Sequence, residues 1–208
     1  MLHTETVESG TFSLLKKLMV LTSLNPFALV GGSALSLRYG HRSSIDIDLF
    51  FHEKFNQHQI IDELDATFHQ GFVYKQQQTD IGIFCFINEI KVDIVYFPHT
   101  PIEEIEVIDN IRMYNIADIS AMKIQAILGR AKKKDFWDLY ELLQHYHLQQ
   151  LIDWHKQKYP SQMLAISIPN AITYFADAEE SETPKSFKNQ SWEKIKKEIS
   201  KTVSDYLK

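Results

Sequence analysis

The sequence predicts an α/β (α+β) fold: a mixed sheet flanked by helices over residues 1–115, followed by a helical half over residues 116–208. Three observations predict it. Short apolar runs bounded by turn residues, which are typical of strands, are confined to the first part of the chain. Amphipathic stretches with helical spacing lie between those runs. After residue 118 the apolar residues recur with helical spacing only, so we expect a second domain there.

The predicted elements follow from these periods, and Gly, Pro or Asn residues end most of them. The predicted strands are 27–30, 45–51, 72–77, 81–87 and 90–97, with one or two short strands within 102–113. The predicted helices are 11–23, 34–39, 57–68, one that starts at residue 118 or 120, one over 134–144 and one over 192–207.

Composition and charge narrow the class of protein. The hydrophobic content of 44% and charged content of 24% are ordinary for a globular protein. No apolar run reaches the roughly 18 residues of a membrane helix, and the start has no secretory signal. The single cysteine, Cys85, allows no internal disulfide and fits a reducing compartment. We therefore expect a cytoplasmic protein with no membrane partner.

Net charge is −5, which argues against binding nucleic acid over a broad surface. Two local basic clusters remain, one at residues 130–134 and one in the lysine-rich segment 185–208. Each of them can also be interpreted as the solvated face of a helix.

The segment 27–33 has the pattern of a phosphate-binding turn. A short apolar strand leads into Gly31 and Gly32, which allow a close backbone approach because they carry no Cβ atom. Ser33 is in position to cap the helix 34–39. The N-terminus of that helix would present N–H groups and a positive dipole end to an anion.

Two acids, Asp46 and Asp48, follow on the predicted strand 45–51. Side chains alternate along a strand, so both acids should lie opposite the apolar residues Ile45, Ile47 and Leu49. Adjacent carboxylates repel each other, and a divalent cation such as Mg²⁺ removes that cost. A phosphate turn close to a metal pair is what moving a nucleotide requires.

Gly-Gly-Ser, followed after twelve residues by Asp-Ile-Asp, resembles the first motif of the nucleotidyltransferase superfamily, which includes DNA polymerase β. The longer pattern over residues 31–50 resembles the AbiEii/AbiGii-type nucleotidyltransferases, the toxins of type IV toxin–antitoxin systems. The resemblance covers roughly residues 25–145. It implies Mg²⁺-dependent transfer of a nucleoside monophosphate (NMP) from a nucleoside triphosphate (NTP) to an acceptor hydroxyl. It further implies tRNA as the acceptor and an antitoxin from a neighbouring gene as a partner.

The resemblance also implies roles for single residues. Gly31, Gly32 and Ser33 would bind the nucleotide, with Gly32 and Ser33 at its β- and γ-phosphates. Asp46 and Asp48 would hold the metal. From the residues alone, Asp93 is a charge within the mostly apolar strand 90–97, and it could be a half-exposed edge carboxylate. The resemblance implies that Asp93 is the third metal ligand and the general base.

A second motif lies in the helical half. Lys123 and Arg130 are seven residues apart, so they share one stripe of a helix, and Asp135 and Asp138 follow. The family carries a lysine on such a helix and then a similar Arg, Lys-Asp and Asp pattern. This implies that Lys123 and Arg130 bind the triphosphate and that Asp135 is a further essential acid. Without the resemblance, Lys123 could be a solvated lysine, and the other three could form an ion-pair network.

Two other functions stay open. The same site could transfer a nucleotide to a small molecule, as antibiotic nucleotidyltransferases do. The chain could also be a non-catalytic binding module of this fold, although binding alone does not require a repulsive carboxylate cluster. The histidines are scattered, so no zinc site is predicted. The preferred NTP, the acceptor, the oligomeric state, the antitoxin and the role of residues 150–208 do not follow from the sequence.

Overall fold

A computed structural model gives the structure of residues 1–75 and 80–208. Within these residues the chain forms seven strands and eight α-helices. The strands are β1 (Ala28–Leu29), β2 (Ile47–Phe51), β3 (Phe72–Tyr74), β4 (Gly82–Ile87), β5 (Ile90–Tyr96), β6 (Glu106–Ile108) and β7 (Ile111–Met113). The helices are α1 (Ser9–Met19), α2 (Gly31–Tyr39), α3 (Gln57–Phe68), α4 (Ile116–Gly129), α5 (Lys133–Leu142), α6 (Leu148–Lys158), α7 (Ile168–Ile172) and α8 (Trp192–Tyr206).

The strands form one mixed sheet in the order β3-β4-β5-β2-β1-β7-β6. The pairs β2/β5 and β1/β7 run parallel, and the other neighbouring pairs run antiparallel. The predicted mixed sheet with flanking helices is therefore confirmed. Strand β5 lies beside β2, and the register places Asp93 directly opposite Asp48.

One hydrophobic core runs from the sheet into the helical half. Helix α1 packs on β7, and α3 packs on β3 and β4. Helix α2 contacts β2 and also α4 and α5, so it connects the sheet to the later helices. The division into domains at residues 115 and 116 stays a prediction. None of the helices formed by the described residues is both long and apolar enough to cross a membrane.

The helical half closes around α5, whose buried aromatic side chains organise the packing. The Trp192 indole of α8 stacks on Trp137, with ring centroids 5.8 Å apart, and meets the Phe136 ring at 5.6 Å. Helix α8 also contacts α6. Helix α8 therefore covers α5, whereas α6 and α7 pack on α4.

The segment 185–187 returns to the segment that precedes the two acids. Ser186 forms an isolated antiparallel bridge with Arg42. The Ser43 N–H donates to the Lys185 carbonyl, and the Phe187 N–H donates to the His41 carbonyl, both at 2.9 Å. The two segments therefore form a short ladder that fixes residues 41–43.

The second strand begins later than predicted. It starts at Ile47, and Ile45, which we expected on its buried face, is 60% exposed. The preceding backbone is bound elsewhere, because the Ser44 N–H donates to the Thr6 carbonyl and the ladder with 185–187 holds residue 43. Ile47 and Leu49 are buried as expected.

Other boundaries moved by a few residues. The first helix covers Ser9–Met19 rather than 11–23, and a short 3₁₀ segment, Thr22–Leu24, follows it. Strand β3 ends at Tyr74. The predicted end of that strand at residue 77 lies outside the described residues.

Candidate active site

Three carboxylates lie where β2 and β5 run side by side. Asp48 and Asp93 are opposite each other in the parallel ladder, so their side chains share one face of the sheet. Asp46 comes just before β2. Burial, reinforced by the charge of Asp93, raises the pKa of Asp48 to about 6. Asp93 Oδ1 is buried, with no hydrogen-bond partner among the residues described.

Two lysines stand beside these acids. The Lys134 ammonium lies 3.6 Å from Asp46 Oδ2. The Lys91 ammonium donates a hydrogen bond to Asp93 Oδ2. Both lysines are partly exposed. They offset part of the repulsion among the carboxylates, and both can swing into solvent if another cation takes their place.

The glycine turn, which is the start of α2, requires glycine at two positions. Gly31 has φ +71°, and a Cβ atom there would lie 2.8 Å from Asp48 Oδ2. A Cβ atom on Gly32 would collide with the Arg42 guanidinium. The backbone of the turn therefore packs closely between Asp48 of the sheet and the Arg42 guanidinium.

Ser33 does not cap its helix as predicted. Helix α2 starts at Gly31 with Val30 as its N-cap, and no side chain caps it. The buried Ser33 hydroxyl instead hydrogen-bonds to the Asp46 carbonyl and lies 2.9 Å from Ser44 Oγ. Ser33 thus fastens α2 to the segment that carries Asp46. The contact of Ser33 with a phosphate stays a prediction. Because the hydroxyl is already bonded, the backbone N–H of Ser33 would make that contact.

Behind the turn, Asp138 collects three side chains in a buried cluster. His41 Nε2 lies 2.7 Å from Oδ1, and Lys123 Nζ lies 2.8 Å from Oδ2. The Arg42 guanidinium binds both oxygens, with Nε and Nη2 at 2.6 and 2.7 Å. Burial alone would raise the pKa of Asp138, but Arg42 and Lys123 outweigh it and hold that pKa well below its usual range.

Asp135 joins this cluster from the start of α5. Its fully buried carboxylate accepts from Lys123 Nζ at 3.1 Å, from Arg130 at 3.2 Å and from the Lys132 N–H at 3.2 Å. Lys123 is only 5% exposed, so it is not a solvated lysine. The ion-pair network that the sequence left open for Arg130, Asp135 and Asp138 is present.

The network carries a surplus of positive charge. Three cations (Arg42, Lys123 and Arg130) face two carboxylates (Asp135 and Asp138), which leaves one positive charge if His41 is neutral. The Arg130 side chain is 52% exposed, so it is the member that solvent or a ligand can reach. An anion bound at the start of α2 would be attracted by this excess positive charge.

Several of these residues had no assigned role in the sequence. Arg42 stood within the motif, but nothing in the sequence indicated that it supports the glycine turn. Lys91 and Lys134 looked like ordinary lysines of a strand and of a basic run. Lys133, from the same run, hydrogen-bonds through Nζ to the Glu179 carbonyl at 2.8 Å. The basic cluster is therefore partly engaged within the protein.

The three proposed metal ligands, Asp46, Asp48 and Asp93, are of the chemical kind that binds Mg²⁺. All three candidate donors are carboxylates, the ligand type that Mg²⁺ prefers, and the buried Asp93 Oδ1 lacks a partner among the described residues. The candidate donors therefore fit Mg²⁺ in their chemical kind. Within residues 1–75 and 80–208, however, no three His, Cys, Asp or Glu side chains are already arranged to hold an ion.

Comparisons by sequence identify close relatives. The family model described as "Nucleotidyl transferase AbiEii toxin, Type IV TA system" matches residues 13–206. The uncharacterised protein aq_aa25 from Aquifex aeolicus (strain VF5) is 32% identical over 199 residues, which are 93% of this chain and 94% of that protein. The resemblance seen in the motifs therefore extends over almost the whole chain.

Two solved structures have a similar fold. MenT4, the nucleotidyltransferase toxin Rv2826c from Mycobacterium tuberculosis H37Rv, has a TM-score of 0.56 at 13% identity, over 95% of this chain and 85% of MenT4. JHP933 from Helicobacter pylori has a TM-score of 0.50 at 18% identity, over 97% and 96% of the two chains. These two structural similarities show the fold alone, whereas the family match also shows the activity. The chain belongs to the AbiEii family of nucleotidyltransferases, the toxin enzymes of type IV toxin–antitoxin systems.

Proposed function

We propose that this enzyme transfers an NMP from an NTP to a hydroxyl of tRNA in a Mg²⁺-dependent reaction, and that a cognate antitoxin restrains it. The observation that carries the proposal is the position of Asp48. It faces Asp93 across the parallel strands and touches the glycine turn at the start of α2. A charged triphosphate and a nucleophile could thus be brought together at one carboxylate pair.

The triphosphate would lie at the N-terminus of α2. No side chain among the described residues caps this end, so the N–H groups of Gly31, Gly32 and Ser33 can receive an anion. The Arg42 guanidinium behind Gly32 and the half-exposed Arg130 add positive charge. Lys123 holds Asp135 and Asp138, and through them it fixes the positions of the other cations.

Asp46, Asp48 and Asp93 would hold Mg²⁺, which when bound supplies charge neutralisation at the phosphate oxygens. Asp93 would also accept the proton of the attacking hydroxyl, since its Oδ1 lacks a partner among the described residues. The acceptor oxygen then bonds to the α-phosphorus, the bond from that phosphorus to the bridging oxygen breaks, and pyrophosphate leaves. Lys91 and Lys134 would leave their carboxylates as the site is loaded.

The test is to incubate the protein with each α-labelled NTP, MgCl₂ and total tRNA, and to follow the label. We expect label in tRNA, none with Asp46→Asn, and wild-type yield with Asp62→Asn, which changes an exposed acid of α3. Label that never leaves the NTP pool with any acceptor would refute the transferase proposal. Label that moves only to a small hydroxylated molecule would replace the acceptor and leave the chemistry in place.

A further inference from the structure

A groove of about 340 Å³ lies on the sheet next to Asp93, on the side of β5 away from β2. We call it the β3–β5 groove. Its lining includes Val73, Lys75, Phe84, Phe86, Lys91 and Asp93. It is continuous with the candidate active site because Asp93 belongs to both.

Strand register explains how the groove forms. Phe84 is opposite Asp93, Phe86 is opposite Lys91, and Val73 is opposite Phe86. Residues opposite each other in an antiparallel pair project from the same face, so all five share the face of the proposed base. The alternate residues of β4 and β5, such as Ile83 and Ile94, are buried in the core on the other face.

Two apolar residues of this groove are exposed to solvent. Phe86 is 49% exposed and Val73 is 58% exposed, although Ile83 and Ile87, on the opposite face of β4, are fully buried. An exposed aromatic and an exposed aliphatic side chain beside a reactive carboxylate favour a ligand that supplies a flat apolar surface.

The charges of the groove select the kind of ligand. Lys75 is exposed and forms no ion pair with any described carboxylate, and Lys91 lies at Asp93. Lysines interleaved with aromatic rings are typical of surfaces that bind single-stranded nucleic acid, where bases stack and phosphates meet cations. The volume is near the lower end of the roughly 300–1,000 Å³ of ligand pockets, which suits one nucleoside rather than a duplex.

We propose that the β3–β5 groove is the acceptor subsite and binds the unpaired 3′-terminal nucleotide of the RNA. The base stacks on Phe86, the adjoining phosphate meets Lys75, and the terminal ribose hydroxyls face Asp93. This inference rests on the proposed function and narrows its acceptor to a single-stranded RNA end.

Binding can be measured without any transfer. The probe is a 5′-fluorescein-labelled heptaribonucleotide, read by anisotropy in the absence of NTP, as a single strand and as a blunt duplex. The variants are Phe86→Ala and Val73→Ala. Val107→Ala is the matched control, because Val107 is also the middle residue of a three-residue edge strand, 66% exposed, at the opposite edge of the sheet.

We expect Phe86→Ala to weaken binding of the single strand roughly 5- to 150-fold, the range found for loss of one stacked base. Val73→Ala should weaken it less, Val107→Ala should change it less than twofold, and the duplex should bind at least tenfold more weakly than the single strand. Equal binding by wild type and Phe86→Ala, or equal binding of single strand and duplex, would overturn the proposal.

The two proposals fail separately. If the wild type labels no acceptor yet loses RNA affinity with Phe86→Ala, the groove stands and the transferase proposal falls. If tRNA is labelled and Phe86→Ala leaves its KM unchanged, the transferase proposal stands and the groove falls.

Discussion

Arg42 and Asp138 form a two-pronged ion pair directly behind the glycine turn, with both nitrogen–oxygen distances at 2.6 to 2.7 Å. The pair is buried, and the same guanidinium presses against Gly32. The strand-to-helix turn that we propose as the phosphate site is thus supported by an interaction between residues 96 positions apart in the chain.

Arg42→Ala should destabilise the fold by about 3–5 kcal/mol, because it leaves the buried Asp138 short of a partner. The double variant Arg42→Ala/Asp138→Ala should cost clearly less than the sum of the two single variants. Urea unfolding of all four proteins measures this coupling. Additive losses would show that the two side chains act independently.

Gly31→Ala should reduce transfer severely and lower stability by about 1–3 kcal/mol, since residue 31 has φ +71° and a Cβ atom would push Asp48 away. Gly129→Ala is the control, because nothing lies within 4 Å of a Cβ atom there. That change near the end of α4 should leave stability unchanged or raise it by up to about 1 kcal/mol. Matching losses from both substitutions would contradict the tight fit at Gly31.

Asp48→Asn should abolish transfer and raise the thermal midpoint in EDTA at pH 8. The folded pKa of Asp48, about 6, lies above the ordinary value near 4, so the wild type loses stability as pH rises through this window. The amide removes that cost. Melting curves of Asp48→Asn and of the exposed-acid control Asp62→Asn give the comparison, and a lower midpoint for Asp48→Asn would be inconsistent with repulsion at the site.

Acid should destabilise the protein through His155. This side chain is buried near Tyr159, donates from Nε2 to Gln125 Oε1 at 3.0 Å, and has its pKa lowered by burial to about 4. The unfolded state therefore binds the extra proton between about pH 6.5 and 4, and stability falls as pH drops through that range, by at most about 3 kcal/mol. His155→Gln should flatten this part of the profile, as urea midpoints at several pH values will show. An unchanged slope would exclude His155 as its source.

Expression of the protein alone should slow bacterial growth. Asp46→Asn should remove the effect, and the product of a neighbouring gene should relieve it. Growth that is normal under strong expression of active enzyme would contradict a toxin role.

Lys132→Glu tests the RNA contact better than reversal of the whole basic run, because Lys134 lies at Asp46 and Lys133 binds the Glu179 carbonyl. This substitution should weaken tRNA binding in a salt-dependent way with little change in NTP binding.

The sequence predicted the sheet and the acids because both depend on local patterns. Apolar runs marked β2, β4 and β5, and the Asp-x-Asp spacing placed two carboxylates together. The prediction that Ser33 caps its helix was wrong because the preference of serine for helix caps is a local signal. In the structure the Ser33 hydroxyl donates to the Asp46 carbonyl, which lies outside the helix. Ile45 was misplaced for a similar reason: its neighbours bind Thr6 and residue 185 rather than the sheet.

Supporting contacts between distant residues were beyond prediction. The pairing of Arg42 with Asp138 and of Lys134 with Asp46 depends on how α5 packs against α2. Likewise, the β3–β5 groove exists only because the register sets Phe86 beside Lys91. A single sequence contains the residues of such contacts but no periodic signal for them.

The ladder between residues 41–43 and 185–187 sets an order of events during synthesis. Proteins emerge from the ribosome with the N-terminal part first, and that part begins to fold while the rest is still being made. Here residues 41–43 lack these backbone partners until residue 187 has emerged. A nascent chain therefore carries every proposed active-site residue before it can hold them in place, and the enzyme becomes competent only late in translation.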